Sequence, residues 1–220
     1  MKGFYRKIAL LLAAASVSMA FIGCEPTDAQ KDYGFPKIYI PQATVTGLDN
    51  TYPIPNGPFG QNVSYTCYFE DGKLFIALGV VRAGDLAHEE GFTVDLSVSQ
   101  SETDRKLASY EAAGTPAMAL PVDLCGIPDK IAVPEGDNTG TCYFSVDLEA
   151  LAGQMSELVE GDRYKLLVLG LAISNPTAYE LSDTNTSVVV VLDLNDTDWD
   201  NVAENLPESE VRVLFPSLSI

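Results

Sequence analysis

Hydrophobic and polar residues alternate along much of the chain, which is the pattern of β-strands with one buried face. In the stretch 63–69 the odd-numbered residues are apolar or aromatic, whereas Tyr68 and two hydroxyl residues fall on the other face. The dipeptide Asp71-Gly72 that follows is typical of a hairpin turn. Residues 73–81 are therefore predicted to return antiparallel to the first stretch.

Further strands are predicted where apolar residues alternate or form short runs between turn residues. One helix interrupts them: it spans 102–113, begins after Ser101 as its N-cap and ends at Gly114. Leu107 and Tyr110, three residues apart, are expected to face the core. The further strands cover 37–42, 92–98, 118–124, 130–133, 141–148, 164–173 and 187–194.

Many short strands with turns between them and a single short helix predict an all-β fold, a single antiparallel β-sandwich over residues 37–194. At 46% hydrophobic residues, the chain has enough apolar side chains to bury the core of such a domain. A C-terminal extension over 195–220, with a short helix and a final strand, is expected to follow it.

The N-terminus has the organisation of a signal peptide. Basic residues precede a run without charges over 8–22. Gly23-Cys24 resembles the end of a lipobox, in which a small residue precedes a cysteine that receives diacylglycerol. We therefore predict a signal peptide over 1–23 and lipid attachment at Cys24. The alternative is ordinary cleavage after Ala20, which would leave that cysteine free.

Residues 24–36 are expected to form a flexible tether after the lipid anchor at Cys24. The acidic residues of this stretch, among them Glu25, Asp28 and Asp32, resemble the surface-export signal of Bacteroidetes lipoproteins. The alternative is a plain solvated tether. The export signal would give an outer-membrane lipoprotein that faces the cell exterior and contacts the membrane through its lipid.

The charge of the chain excludes some partners. Three of the 13 basic residues but none of the 31 acidic residues lie in the predicted signal peptide, so the remaining chain carries a net charge of −21. A surface this acidic repels phosphate backbones and anionic lipid headgroups. We therefore expect no nucleic-acid partner, and we expect ligands that are neutral or cationic.

Three cysteines remain after Cys24, namely Cys67, Cys125 and Cys142. An exported protein can form one disulfide and keep one thiol. Because Cys67 and Cys142 share the inward positions of their predicted strands, they are the expected pair in that case. The alternative is that all three are small buried hydrophobic side chains.

Six short sequence motifs occur in an order that resembles one protein family. In chain order they are Lys37-Ile38-Tyr39-Ile40-Pro41-Gln42-Ala43, a helix with Tyr110, Ile131-Ala132-Val133-Pro134-Glu135-Gly136, Tyr164-Lys165-Leu166, Ala178-Tyr179-Glu180-Leu181 and Asn185-Thr186-Ser187-Val188-Val189-Val190. The first motif is similar to the opening of domain of unknown function 1735, an N-terminal domain of many Bacteroidetes lipoproteins. The resemblance covers residues 37–194 and implies an immunoglobulin-like sandwich.

The same domain precedes the catalytic domain of some family 18 endo-β-N-acetylglucosaminidases, and family members usually carry a second, larger domain. Only about 26 residues follow Leu194 in this sequence. We therefore do not expect the activity of such a second domain here. The resemblance implies a place among surface lipoproteins that handle glycans, and it implies no particular chemistry.

No motif indicates an enzyme or a cofactor, since the sequence has no Gly-x-Ser-x-Gly elbow, phosphate loop or dinucleotide fingerprint. The one histidine, His88, lies among acidic residues and is either a metal ligand or a solvated side chain. Asp196, Asp198 and Asp200 resemble the start of a calcium loop, but Asn201 stands where its turn glycine belongs. We predict no catalytic residue, no metal site and no cofactor.

Aromatic side chains outside the predicted strands are the candidate ligand contacts, because aromatic rings stack on the apolar faces of sugars. Tyr52 and Phe59 lie on a stiffened loop over 47–61, rich in proline and glycine, and Trp199 lies beyond the last strand. The alternative is that all three pack over an open end of the sandwich.

The leading functional hypothesis is a non-catalytic cell-surface accessory that binds or captures a glycan. The alternative hypothesis is a structural spacer or an adhesion subunit that binds another surface protein.

Overall fold

The structure is a computed structural model that describes residues 36–47, 49–55, 67–84, 90–161 and 163–196. The predicted signal peptide, Cys24 and nearly all of the tether lie outside the described residues, as does the chain from residue 197 onward. The predicted boundaries of those segments stay predictions. Within the described ranges, no helix combines the length and the apolar character needed to cross a membrane.

The strands, in chain order, are β1 (Lys37–Tyr39), β2 (Thr51–Ile54), β3 (Cys67–Glu70), β4 (Lys73–Ala83), β5 (Phe92–Val98), β6 (Ala117–Ala119), β7 (Cys125–Gly126), β8 (Lys130–Val133), β9 (Thr139–Asp147), β10 (Val159–Glu160), β11 (Arg163–Tyr164), β12 (Leu166–Ser174), β13 (Glu180–Leu181) and β14 (Ser187–Leu192). The helices are α1 (Gln100–Ala113), α2 (Leu148–Ala152) and α3 (Met155–Leu158), and short 3-10 helices cover Pro41–Thr44 and Val122–Leu124.

Two six-stranded sheets face each other. The front sheet has the order β13-β1-β4-β9-β7, with β3 also pairing with β4. The back sheet has the order β2-β14-β12-β5-β8, with β6 also pairing with β12. The prediction of an all-β sandwich is confirmed. Most of its strand pairings are antiparallel, as predicted, and three of them, β1–β13, β6–β12 and β2–β14, are parallel.

The core lies between the two sheets and follows the alternation of the sequence. The residues of β4, β12 and β14 that point inward are almost completely buried and belong to one cluster. Burial of each such side chain contributes about 1.5–3 kcal/mol to stability. They are Leu74, Ile76, Leu78, Val80, Leu167, Leu169, Leu171, Val188, Val190 and Leu192.

Helix α1 covers the outer face of the back sheet. Leu107 and Tyr110 were predicted to face the core. They do pack against the sandwich, but they contact Val168, Val189 and Val191 on that outer face and not the core between the sheets. Strands β12 and β14 are consequently buried on both faces. Strands in this situation have continuous apolar runs in place of alternation, which explains the four consecutive valines of β14.

Two local predictions need correction. Helix α1 begins at Gln100, because Ser99 rather than Ser101 has the extended backbone of an N-cap residue; it ends at Gly114, with a φ of 68°, as predicted. The predicted strand over 118–124 does not exist as one element. It is split at Pro121, which lacks an amide donor, and the chain there crosses from β6 in the back sheet to β7 in the front sheet.

Candidate functional site

The aromatic residues that the sequence marked as ligand contacts do not form a site among the described residues. Tyr52 lies on β2, its side chain is fully buried, and its Oη donates a hydrogen bond to the carbonyl oxygen of Ala77 at 3.1 Å. The prediction for Tyr52 is therefore wrong, because an edge strand tolerates Pro53 and replaces the expected loop. Phe59 and Trp199 lie outside the described residues and stay predictions.

The candidate metal ligands give no site in the described part of the chain. His88, Asp198 and Asp200 lie outside it, and within it no group of three or more His, Cys, Asp or Glu side chains is placed to hold a metal ion. Asn195, in the same acidic segment, binds the backbone instead. Its Oδ1 accepts from the Tyr164 amide and its Nδ2 donates to the Tyr164 carbonyl oxygen, both at 2.9 Å. Asn195 therefore holds the backbone of β11 in place through two hydrogen bonds.

Cys67, Cys125 and Cys142 are free thiols. Strand β4 separates Cys67 from Cys142, because Ile76 lies opposite Cys67 on one side and opposite Phe144 on the other. Two strand spacings amount to about 10 Å, beyond the Cα separation that a disulfide allows. Burial raises the pKa of Cys67 to about 12, and burial raises those of Cys125 and Cys142 to about 11. The alternative of buried thiols holds for Cys67, whereas Cys125 and Cys142 are only partly buried against the core. None of the three is a reactive thiolate at neutral pH.

A patch of aromatic side chains lies on the outer face of the front sheet. Because side chains alternate along a strand, Tyr68 on β3, Phe75 on β4 and Tyr143 on β9 all point away from the core. Tyr68 is 41% exposed and Tyr143 is 48% exposed, whereas Phe75 is half-buried beside them. We name these three residues the aromatic platform.

The rings of the aromatic platform contact one another. Tyr68 and Phe75 are cross-strand partners whose ring centroids are 5.1 Å apart at an interplanar angle of 9°. Tyr143 contacts the Tyr68 ring edge-on, at 5.4 Å between centroids and 70° between planes. Mutual packing holds the rings before a ligand arrives, which lowers the entropy cost of binding.

Polar side chains border the platform. The register places Ser145 opposite Phe75, and it places Lys73 between Glu70 and Asp147 in the next row of the same face. The Asp147 carboxylate accepts a hydrogen bond from the backbone of α2 and so caps that helix. Among the described residues, the border therefore offers the Ser145 hydroxyl group, the Lys73 ammonium group and the Glu70 carboxylate to a ligand on the rings.

The Tyr68 hydroxyl keeps its proton at neutral pH. Partial desolvation raises the pKa of Tyr68, and the negative charges of Glu70 and, when ionised, Tyr143 act in the same direction. A protonated phenol both donates and accepts a hydrogen bond. The platform thus combines apolar ring faces with hydroxyl groups, an arrangement suited to a flat ligand that carries hydroxyl groups of its own.

An open cleft of about 430 Å³ lies beside α1, between this helix, β6 and β10. Its lining includes Asp104, Glu111 and Glu160 together with Lys165, and it includes no aromatic ring. Nothing in this lining selects a ligand, so the aromatic platform is the stronger candidate site.

Neither a protein-family model nor a curated protein sequence matches the chain. Solved structures from Bacteroides species are similar to it. A proposed carbohydrate-binding protein of Bacteroides ovatus has 11% identity and a TM-score of 0.46, over 71% of this chain and 36% of that one. A multidomain protein including domain of unknown function 1735, also of Bacteroides ovatus, has 13% identity and a TM-score of 0.44, over 72% and 45%. An auxiliary nutrient-binding protein of Bacteroides thetaiotaomicron has 15% identity and a TM-score of 0.43, over 67% and 45%.

The matched part of each of these three proteins is less than half of its length. One of them contains the domain that the sequence resembles. At these identities and TM-scores the similarity concerns the fold alone, and the neighbours' ligands are properties of the neighbours.

Proposed function

We propose that this protein is a non-catalytic accessory at the cell surface that binds a neutral glycan. The observation that carries the proposal is the aromatic platform. The ring of Tyr68 packs against those of Phe75 and Tyr143, at centroid distances of 5.1 and 5.4 Å, and both tyrosines are exposed on this face. Sugar rings stack their apolar faces on aromatic side chains, and tyrosine adds a polar group at the edge of the contact.

The charge of the chain favours a neutral ligand. The chain beyond the predicted signal peptide carries a net charge of −21, and Lys73 is flanked by Glu70 and Asp147 at the platform. An anionic glycan would approach against this field. Binding by stacking involves no ion pairs, so we expect its affinity to change little with salt concentration.

A protein partner that adds a strand to a sheet edge is the second candidate function. The strands of the two sheets that pair on one side only, β2, β3, β6, β7, β8 and β13, are two to four residues long in the described structure. Strand β2 also contains Pro53, which cannot donate a hydrogen bond to an added strand. Short edges and edge proline discourage pairing with another chain, so the described edges favour the glycan.

The test is affinity electrophoresis of the purified chain in gels that contain neutral polysaccharides (mannan, xylan, laminarin, galactomannan) or anionic ones (heparin, polygalacturonate). We expect retardation by a neutral polysaccharide and none by the anionic ones. The double variant Tyr68→Ala/Tyr143→Ala should weaken binding at least about tenfold, because it removes both exposed rings.

The matched control is Val122→Ala, which trims a side chain that is 45% exposed but lies on the connection between β6 and β7. It should bind as the unchanged protein does. Phe59→Ala and Trp199→Ala, run in the same gels, test the two sequence candidates that lie outside the described residues. Retardation that survives in the double tyrosine variant, or the absence of retardation by every neutral polysaccharide, would contradict the platform as the site.

The location of the protein is a separate proposal. We infer that the chain is anchored by lipid at Cys24 and faces the cell exterior, from Gly23-Cys24 and the acidic residues that follow. Labelled fatty acid should enter the native protein and be lost in Cys24→Ser, and external protease should remove the domain from intact cells. Labelling that persists in the variant would refute the anchor, and full protection would indicate an anchor that faces the periplasm.

A further inference from the structure

The outer face of β4 continues beyond the aromatic platform as a strip of small residues. After Phe75, the next outward positions are Ala77 and Gly79. On β9 they are flanked by Tyr143, opposite Ala77, and by Thr141, opposite Gly79. From Phe75 to Gly79 this strip is about 13 Å long at the usual rise of a strand, which is longer than one sugar ring.

The edge of β4 has a gap beside this strip. Strand β3 pairs with residues 73–76 and β1 pairs with residues 81–83, so no described strand pairs with 77–80 on that side. Two side chains take the backbone hydrogen bonds there. The Tyr52 Oη donates to the Ala77 carbonyl oxygen at 3.1 Å, and the Gly79 amide donates to Gln42 Oε1 at 3.2 Å.

The bond from Gly79 fixes the orientation of the Gln42 amide. A backbone N–H is a donor, so its partner must be the carbonyl oxygen of the side chain, and Nε2 with its two donors occupies the other branch. A Cβ atom at Gly79, which would point outward, would lie 3.0 Å from the Gly140 carbonyl oxygen, 3.7 Å from Thr141 Oγ1 and 3.8 Å from Gln42 Nε2. Nε2 makes no hydrogen bond to any described residue. Two polar groups therefore flank the far end of the strip, where Gly79 itself is buried.

We propose that the bound glycan extends along β4 from the aromatic platform to Gln42, whose amide donates a hydrogen bond to an oxygen of a sugar unit next to the stacked ones. The ligand class is then a neutral oligosaccharide chain of several units, and a single sugar fills only part of the site. This inference rests on the proposed function, since the rings supply most of the binding energy. Thr141 supplies a second polar contact from the β9 side.

The decisive variant is Gln42→Glu. A glutamate keeps an oxygen that accepts the Gly79 hydrogen bond, but it has no amide donors for a ligand. The probes are manno-, xylo- or laminari-oligosaccharides from disaccharide to hexasaccharide, chosen to match the polysaccharide that retards the protein, with affinities measured by calorimetry. The unchanged protein should bind the hexasaccharide more tightly than the disaccharide. Gln42→Glu should bind the hexasaccharide about five- to tenfold more weakly and the disaccharide unchanged.

Thermal unfolding of each variant separates a binding effect from a folding effect. Thr141→Val leaves the Gly79–Gln42 bond in place and should also weaken the hexasaccharide selectively, by a smaller factor. Equal affinity of Gln42→Glu and the unchanged protein for every length, with loss of binding in Tyr68→Ala/Tyr143→Ala, would overturn this inference and leave the proposed function standing. Equal weakening at every length would place Gln42 at the rings and also overturn it. Failure of all neutral glycans to bind would overturn both.

Discussion

The two outer faces of the sandwich carry apolar side chains for different reasons. On the back sheet, Val168, Val189 and Val191 point away from the core and are nevertheless buried, because α1 covers them. On the front sheet, Tyr68 and Tyr143 also point outward and stay 41% and 48% exposed. Packing within the chain explains the outward valines. Packing among the described residues does not explain the outward tyrosines, and an apolar surface without such a structural reason is a candidate for binding.

The helix is fitted to the backbone of the back sheet. A Cβ atom at Gly170 would lie 2.4 Å from the carbonyl oxygen of Ser99 and 2.9 Å from the amide nitrogen of Thr103. The Gly170 amide donates to Thr103 Oγ1 at 2.8 Å, and the Ser99 amide donates to the Gly170 carbonyl oxygen at 2.8 Å. The first turn of α1 therefore lies directly on β12, where only glycine leaves room for it.

A buried cation completes the attachment of α1. The Lys106 Nζ donates to Asp49 Oδ2 at 2.9 Å and to Thr51 Oγ1 at 2.6 Å, and it lies 5.0 Å from the centre of the Tyr110 ring. Burial of an ammonium group is costly unless it is paired and hydrogen-bonded. These partners satisfy that condition, so the cover of the back face combines apolar and polar contacts.

Among the contacts that hold α1 on the back sheet, the largest effect is expected from Gly170→Ala. The added methyl group meets backbone atoms, which cannot rotate away, so α1 must shift from the sheet and the free energy of unfolding should fall by about 3 kcal/mol. Urea unfolding followed by circular dichroism measures the change. Gly126→Ala is the matched control, because its Cβ would meet the Ser145 Oγ at 2.6 Å, a side-chain atom that can move. Equal losses in the two variants would show that α1 is not held on β12 as described.

A smaller effect is expected from Lys106→Met, which keeps the aliphatic stem and removes the ammonium group. The free energy of unfolding should fall by about 2 kcal/mol, because Thr51 loses a donor in a buried place and the half-exposed Asp49 loses its ion pair. Lys130→Met is the control with the same chemical change. The ion pair of Lys130 with Asp95 is solvated, with side chains 62% and 34% exposed, and its loss should leave the unfolding midpoint unchanged. A midpoint shift of the same size in both variants would mean that Lys106 is not buried against the sheet.

The attachment of α1 should also depend on pH. Partial burial acts to raise the pKa of Asp49, but hydrogen bonds from Lys106, Thr46 and Thr51 outweigh it and hold that pKa well below its usual range. A lowered pKa in the folded state stabilises the protein above the unfolded pKa of about 4, and this contribution is lost as the pH falls toward the folded pKa.

Asp49→Asn therefore has a pH-dependent cost. It should lower the free energy of unfolding at pH 7 by about 1 kcal/mol, a figure reduced for solvent screening because the Asp49 side chain is 49% exposed. At about pH 3 the difference from the unchanged protein should shrink, because the native carboxylate has begun to lose its advantage. Urea titrations at the two pH values measure it, and a difference that grows on acidification would contradict the lowered pKa.

Local signals in the sequence predicted much of the fold. The alternation over 92–98 matches β5 in both bounds and burial, and Gly114 ends α1 as expected. Contacts between distant segments were not predictable in the same way. Strand β2 forms beside β14 although it contains Pro53, and it buries Tyr52. Its formation depends on a partner that lies well over a hundred residues away in the sequence, and no local pattern encodes that pairing.

The candidate site was half predictable. The alternation placed Tyr68 on the solvent face, and the hairpin at Asp71-Gly72 fixes its pairing with Phe75. The neighbours of Tyr143 point inward, so its own outward direction was also implied. The contact between the rings of Tyr143 and Tyr68 was not predictable, because it depends on the register between β4 and β9, and the sequence does not determine that register. Because binding residues usually lie on loops, the sequence indicated Tyr52, Phe59 and Trp199 as ligand contacts. It did not indicate the strand residues Tyr68 and Tyr143.

The smallest effect on stability is expected at the front face, and it is the sharpest test of the comparison. Tyr143→Ala should change the free energy of unfolding by less than about 1 kcal/mol, because an exposed ring loses little burial. Tyr52→Ala makes the same chemical change at a fully buried ring and should cost about 3–5 kcal/mol. Urea unfolding of the two variants gives both values. If Tyr143→Ala costs as much as Tyr52→Ala, then some part of the chain covers the front face as α1 covers the back. The outward tyrosines would then be packing residues, and the platform would not be open to a glycan.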